Sequence, residues 1–270
     1  VLGAQEVAGV NDTFPLTFIF LQFAFGCTAG FSVITAKCVG CGDARGVRKS
    51  LVTQLTLSLI ISAVLTVSSI LLLPWMLHTI NVTPENPVVY GAAYAYCFVI
   101  FLGILAQMGY NFICGILRAY GDSVTPLIFL VISTALNVGL DLLLLVPLRM
   151  GPAGAAIATV AAQLISMILC GAYTFLRYRG LRITREDWRL TREDFVSHLS
   201  QGVPLGLQFS VLAVGIIVVQ SVVVQFDMLN GAMVSSAAQN GFGAANKVNN
   251  LLMTPLNGLG SAMTSFTAQN

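Results

Sequence analysis

Between residues 88 and 117 this chain runs thirty positions without an Asp, Glu, Lys or Arg, and between residues 50 and 84 only His78 carries a titratable side chain. About 20 apolar residues in a helix cross the hydrocarbon core of a bilayer, so either run is long enough. Inside lipid every backbone polar group must be bonded within the chain, which leaves α-helices or a closed β-barrel. A barrel would read as short segments of alternating polarity, and these runs do not alternate. Composition agrees, with 56% hydrophobic and 9% charged residues among 270, where a soluble domain carries about a quarter charged. The fold class expected is therefore all-α, a polytopic membrane protein of about seven transmembrane helices. They fall near residues 14–36, 51–77, 88–117, 126–148, 152–176, 203–226 and 233–266.

The basic residues set the expected orientation. Lys37, Arg45, Arg48 and Lys49 follow the first span, Arg118 follows the third, and Arg177, Arg179, Arg182, Arg185, Arg189 and Arg192 follow the fifth. The intervening connections carry only Arg149, and Lys247 sits within the last span. Short loops rich in Lys and Arg stay cytoplasmic. Loops 37–50, 118–125 and 177–202 are thus expected in the cytoplasm of a multi-pass protein of the cell membrane. The first span then runs inward, which calls for a helix before it. A net charge of +2 gives no ground for a nucleic-acid partner.

Residues 178–201 form the one hydrophilic stretch, with Thr184-Arg185-Glu186-Asp187 repeated as Thr191-Arg192-Glu193-Asp194. Each has the form of a helix start, Thr as cap and acids in the first turn. The preferred reading is a solvated connector between two lobes. A weak internal repeat, residues 3–9 against 231–237 and Gly26…Lys37 against Gly258…Gln269, fits a transporter built from two similar halves. Of the six cysteines, Cys38 and Cys41 make a C-x-x-C without a second pair or a nearby His and read as small residues near a helix end, while Cys27, Cys97, Cys114 and Cys170 read as packing.

One acid lies deep in a span. Asp141 is roughly 22 Å along the fourth helix from Pro126, past the midplane. A charge there costs around 3 kcal/mol and by default marks a functional site facing a polar cavity. Asn137, four residues earlier, shares its face. Carboxylate and amide oxygens suit Na⁺, or a proton taken and released by the acid. The alternative is a structural Asp bonded to a neighbouring helix. In the fifth span, residues 154–163 form a small-residue surface that lets helices pack closely and carries Thr159 and Gln163. Thr159 is expected either beside Asp141 or on its own backbone. Gln107, Tyr110, Asn111, Gln163, Gln208 and Lys247 are further intramembrane polar residues, expected to line a shared interior cavity. In residues 118–126 a tight turn is expected, with Gly121 ending one helix, Thr125 capping the next and Pro126 at its first position.

At Leu117-Arg118-Ala119-Tyr120-Gly121-Asp122-Ser123-Val124-Thr125-Pro126-Leu127, then Leu136-Asn137 and Leu140-Asp141-Leu142-Leu143, the chain resembles the multidrug and toxic compound extrusion (MATE) family. The likeness continues through Gly154-Ala155-Ala156, Ala158-Thr159, Ala162-Gln163, Gly202-Val203-Pro204, Leu207-Gln208 and the closing Ala268-Gln269-Asn270. It implies two six-helix bundles facing a central cavity. Residues 1–176 would be the first bundle without its first helix, 177–202 a cytoplasmic linker, and 203–270 the first two helices of the second bundle. In the prokaryotic DNA-damage-inducible-like branch an Asn-x-x-x-Asp pair and a Thr help bind the coupling cation. Asn137, Asp141 and Thr159 match those positions, and the acid that completes that site belongs to the helix absent here. The resemblance further implies a secondary active antiporter rather than an enzyme. It would export lipophilic or cationic small molecules in exchange for Na⁺ or H⁺, as a monomer in the lipid bilayer and without a cofactor beyond that ion. Asp141 and Asn137 would be the metal ligands if the ion is Na⁺. A lipid-linked oligosaccharide flippase of the same superfamily is the alternative, although it would need several cavity Arg or Lys for a pyrophosphate where only Lys247 offers one. A non-transporting membrane scaffold is the other.

Overall fold

The computed structural model describes residues 3–80, 82–225, 228–229, 232–233 and 237–270. Nine α-helices carry them: α1 (Ala4–Asp12), α2 (Phe14–Gly40), α3 (Ala44–Thr79), α4 (Pro87–Leu102), α5 (Ile104–Ala119), α6 (Val124–Leu145), α7 (Gly151–Arg177), α8 (Arg192–Gln225) and α9 (Ala237–Gln269). A two-residue ladder pairs Met228 with Met233 and Leu229 with Ala232. Residues 231 and 234–236 of the internal repeat lie outside the described residues. Among the described residues α2, α3, α6, α7 and α8 are each long and apolar enough to span a membrane, and α4 with α5 makes a sixth span if the bent pair counts as one. The polytopic all-α expectation holds. Of the seven spans expected, α9 is the one that does not reach that mark. Its Asn, Gly, Ser and Thr residues dilute its apolar content.

The third expected span is broken. α4 and α5 meet at Gly103 with a bend of 42°. A Cβ on Gly103 would run into the Val160 side chain of α7, so the glycine lets the two helices touch there. The Thr66 hydroxyl of α3 donates to the Phe101 carbonyl at 3.0 Å, giving the backbone at the break a partner it would lack in lipid. Further along, a Cβ on Gly109 would meet Met167 and one on Gly171 would meet Ile113. The residue offset between the two helices is almost constant, so α5 and α7 run parallel with glycine at successive contacts.

Helix ends follow the local chemistry. The Asp43 carboxylate accepts from the Arg45 and Gly46 N–H groups at 3.1 and 2.9 Å and starts α3. In the 120–123 turn Gly121 ends α5 at φ +77°, as its sequence position predicts. The cap of α6 differs from expectation. The helix begins at Val124, so Ser123 is the cap residue and Pro126 the third helical one. Asp122 accepts from the Thr125 N–H at 3.0 Å and from its hydroxyl at 2.7 Å, which makes Thr125 a donor rather than the cap. A carboxylate accepts more strongly than a hydroxyl at a helix start.

The hydrophilic stretch is not a free-standing connector. Its first Thr-Arg-Glu-Asp unit makes a 3₁₀ turn at Arg185–Trp188, and its second opens α8 itself. Asp187 is buried: it accepts from the Thr184 N–H and hydroxyl, each at 2.7 Å, and from Arg48 Nε at 3.1 Å. Lys49 Nζ donates to Asp194 Oδ2 at 3.0 Å. Tyr178 donates to Asp122 at 3.3 Å, and Gln269 Nε2 to the Ala119 carbonyl at 2.6 Å. These bonds gather the Lys- and Arg-rich loops at one end of the molecule, referred to below as the basic end.

Three apolar clusters form among the described residues, and the two larger draw chiefly on α2 to α5 and α7. One centres on Leu73, Leu77, Phe101, Ile104 and Met108, the other, toward the basic end, on Leu51, Ile116, Leu117, Cys170 and Leu181. Outward-facing apolar side chains such as Leu127, Val131, Leu142 and Leu143 of α6 remain exposed, as lipid-facing residues do. The most extensive helix pair is α2 on α8. Gly26 and Gly30 of α2 face Gly206 and Gly202 of α8, each pair spaced as G-x-x-x-G. A Cβ on Gly26 would stand 2.6 Å from the Gly206 Cα, and one on Gly30 2.5 Å from the Gln201 carbonyl oxygen. The backbones touch directly, in antiparallel register.

Candidate functional site

α6 and α7 pack antiparallel along the small-residue surface of α7. Ser133 donates to the Ala162 carbonyl at 3.4 Å, and Asn137 Nδ2 donates to Thr159 Oγ1 at 3.3 Å. Thr159 also donates to the Ala155 carbonyl at 3.0 Å. The hydroxyl therefore joins the two helices and bonds its own backbone at once.

Asp141 lies one turn beyond Asn137, where the register sets it against α7 near Ala155 and Ala156. Its Oδ1 is shut off from the surface and has no hydrogen-bond partner. A buried acceptor without a donor costs about 1–3 kcal/mol, and more when charged. This oxygen is the sharpest unsatisfied group on the seam. Tyr96 of α4, half-buried, lies within electrostatic reach of Asp141. Nothing in the sequence singled Tyr96 out, since α4 touches this region only through α7.

Gln163 sits one turn from Thr159 on the opposite side from Asp141. Its Oε1 is likewise buried without a partner. Two helical turns separate it from Asp141, roughly 12 Å. The two oxygens thus belong to separate points on one polar line, with the Asn137–Thr159 pair between them.

The remaining polar candidates do not join that line. Tyr110 donates to the Pro126 carbonyl at 3.1 Å. Pro126 is roughly 22 Å down α6 from Asp141, so Tyr110 belongs to the basic end. Asn111 is buried on α5 with its Nδ2 unpartnered, and Gln107 is half-buried one turn below the bend at Gly103. Gln208 is exposed on α8. Lys247 falls on α9, and its side chain lies outside the described residues. No group of three or more His, Cys, Asp or Glu that could hold a metal occurs among the described residues. An ion at Asp141 would be met by one carboxylate, with amide and hydroxyl oxygens one turn away. That donor set fits a hard monovalent ion or a proton, carried as cargo, better than a resident transition metal.

A second polar cluster escaped the sequence reading. Thr35 of α2, Ser50 and Gln54 of α3 and His198 of α8 are all buried and bonded to one another at the basic end. Its bonded members lie from 4 to 148 residues apart on three helices, and no local pattern marks them together.

The MatE family model matches residues 1–143. The probable multidrug resistance protein YpnP of Bacillus subtilis (strain 168) is 31% identical across the whole of this chain, which spans 58% of that protein. Two solved structures at 25% identity share the fold. One is an outward-facing conformation of a multidrug resistance MATE family transporter of the MOP superfamily, with TM-score 0.84 over 99% of this chain and 58% of that one. The other is an inward-facing conformation of such a transporter, with TM-score 0.80 over 97% and 58%. A family match across half of the chain, a relative above 30% identity and the same helical architecture agree, and the chain belongs to the multidrug and toxic compound extrusion (MATE) family.

Proposed function

We propose that this chain is the cation-coupled part of a secondary active antiporter, which exports lipophilic or cationic small molecules in exchange for Na⁺ or H⁺. The observation that carries the reading is Asp141 Oδ1, buried and without a donor on the α6–α7 seam, one turn from the Asn137–Thr159 bond. An entering cation would supply the missing partner. A proton would do so by neutralising the carboxyl, and Na⁺ by drawing in the amide and hydroxyl oxygens of Asn137 and Thr159. A bound ion biases a two-state equilibrium only through its different affinity for the two states. A carboxylate whose oxygen is unpartnered in one state has such a difference built in.

The same reading takes residues 1–176 and 203–270 as parts of two bundles joined through 177–202. It sets the basic end in the cytoplasm, following the distribution of Lys and Arg. Gln163 and Asn111, each with a buried unpartnered atom, are the residues proposed to meet the exported molecule. The protein is proposed to work as a monomer in the cell membrane. The multidrug resistance names of its relatives support the substrate class.

The test is uptake of a fluorescent cationic dye into proteoliposomes holding the full-length protein, with Na⁺ and H⁺ gradients imposed separately. Uptake driven by one gradient and lost in Asp141→Asn is the expected result, and it names the ion. Uptake that survives the substitution unchanged removes Asp141 from the coupling.

A further inference from the structure

His198 lies where α8 crosses α2 and α3, and the antiport reading gives it no task. Its ring is buried, with Nδ1 2.7 Å from the Asp194 carbonyl oxygen and Nε2 2.8 Å from Ser50 Oγ. A carbonyl only accepts, so Nδ1 carries a proton. The neutral ring then accepts the Ser50 proton at Nε2. Ser50 in turn accepts from Thr35 at 2.8 Å and from Gln54 Nε2 at 3.2 Å, and Gln54 Nε2 also donates to Thr35. Thr35 and Gln54 thus both donate to Ser50, whose own proton points to the ring on α8. With His198 neutral, all four groups are satisfied.

A second proton on the ring would reverse this chain. Nε2 would become a donor, and Ser50 would have to turn its hydroxyl back toward Thr35. The Thr35 oxygen already accepts from Gln54, and its own proton would lose Ser50 as acceptor. A buried cation would also find no free carboxylate among the described residues around it. Asp194 is held by Lys49 at 3.0 Å and by Thr191 at 2.7 Å. Asp43 is used by the start of α3, and Asp187 by Arg48. The other charged groups lining the adjoining cavity of about 530 Å³ are Arg45 and Lys49, both cations. From α2 the ring meets Phe31, edge-on at 6.2 Å between centroids, and the Cys38 thiol lines the same cavity. One turn away Gly30 and Gly202 bring the two backbones into contact. Interfaces packed this closely switch between discrete arrangements rather than yielding gradually.

We propose that His198 is a proton-operated latch between α8 and the α2–α3 pair, closed when the ring is neutral and released when it is protonated. The latch rests on the reading of residues 1–176 and 203–270 as two bundles that move against each other. It does not depend on the identity of the coupling ion. In the parted form the ring meets water and titrates near pH 6.5, so opening sets in below that value. One linked proton changes the ratio of open to closed by at most about tenfold per pH unit.

The experiment reads a distance, so it decides the latch whether or not the protein transports. Spin labels are placed at Ala44→Cys and Ser200→Cys, both exposed at the basic end, in the full-length protein in nanodiscs without drug or gradient. Cys38 and Cys41 are replaced by Ser, and the four remaining cysteines are buried. A short distance at pH 8 that gives way to a longer component at pH 5, with His198→Gln held short at both, supports the latch. An unchanged wild-type distribution between these pH values overturns it, as does a His198→Gln protein that follows the wild type. Should that variant fail to fold, Ser50→Ala decides. The longer component already present at pH 8 supports the latch, and a wild-type pH profile overturns it.

Discussion

Where α2 crosses α8, glycine meets glycine, and the backbones stand so close that a single added carbon has no room. Where α6 lies on α7 the small residues are mostly on α7, and they face Leu144, Leu145, Asn137 and Ser133. The first contact leaves no slack and few polar loose ends. The second leaves a carboxylate oxygen and an amide oxygen buried without donors. The helices differ in support as well. In its most apolar stretch α2 is 44% buried and α6 only 6%, so within this chain, which spans 58% of its relative YpnP, α6 packs chiefly on α7. A helix with one neighbour can shift when an ion binds without tearing a core. A helix clasped on several sides moves with its whole bundle or not at all. The molecule thus keeps its close-packed contact, with two discrete arrangements, toward the basic end and its loosely held contact in the apolar interior.

The largest effect that would break this contrast comes from filling the glycine seam. In Gly202→Val the new side chain collides with the Phe31 ring and the Cys27 carbonyl. Overpacking of this kind costs about 1–3 kcal/mol or more. Thermal unfolding in detergent should show a clear drop in melting temperature. Gly139→Val on α6, where an added Cβ meets nothing, should stay close to wild type. Equal losses at the two sites would mean that the α2–α8 contact carries no special load.

A middle-sized effect sharpens the other half. Asp141→Asn takes a charge out of the apolar interior, where an acid costs around 3 kcal/mol. Melting temperature should hold or rise, by up to about 2 kcal/mol in stability, while gradient-driven transport is lost. A fall of more than about 1 kcal/mol would show that Asp141 holds the fold together through a bond formed elsewhere in the full-length protein.

Much of this was legible in the sequence. The charge-free runs gave the helices, because lipid allows little else. Gly121 and Pro126 gave the 120–123 turn, and the carboxylate of Asp141 stood out against its surroundings. Spacing set Thr159 either beside Asp141 or on its own backbone; it bonds the Ala155 carbonyl and, across the seam, Asn137, one turn from Asp141. The break at Gly103 was not legible, since a glycine inside an apolar run is ordinary in membrane helices and its reason lies in Val160, 57 residues on. The Gly26–Gly30 and Gly202–Gly206 pairs were readable as motifs, but only the fold shows that they face one another. Tyr96 and the His198 cluster carry no pattern at all. The cluster draws on three helices and Tyr96 faces Asp141 from another, and periodicity reports one helix at a time.

The smallest effect concerns the ion pairs that fasten the basic end. The Thr184 N–H aimed at Asp187 holds its carboxyl below the usual carboxylate range; against the opposing cost of burial, the Thr184 hydroxyl and the Arg48 guanidinium add to it. A carboxyl with a lowered folded-state value contributes stability that is fully present above its unfolded value, near pH 3.9, and is lost as pH falls through the lower folded value. Wild type and Asp187→Asn should therefore differ at neutral pH and converge in acid below about pH 4. Hydrogen exchange of the Arg185–Trp188 turn reads this directly, faster in the variant at pH 7 and equal to wild type once both are acidified. Exchange equal at pH 7 would show that the Arg48–Asp187 pair contributes nothing measurable, as many partly exposed pairs do not. The basic end would then rest on the glycine seam, the His198 cluster and the remaining loop bonds such as Lys49 to Asp194, which makes the contrast with the α6–α7 contact sharper.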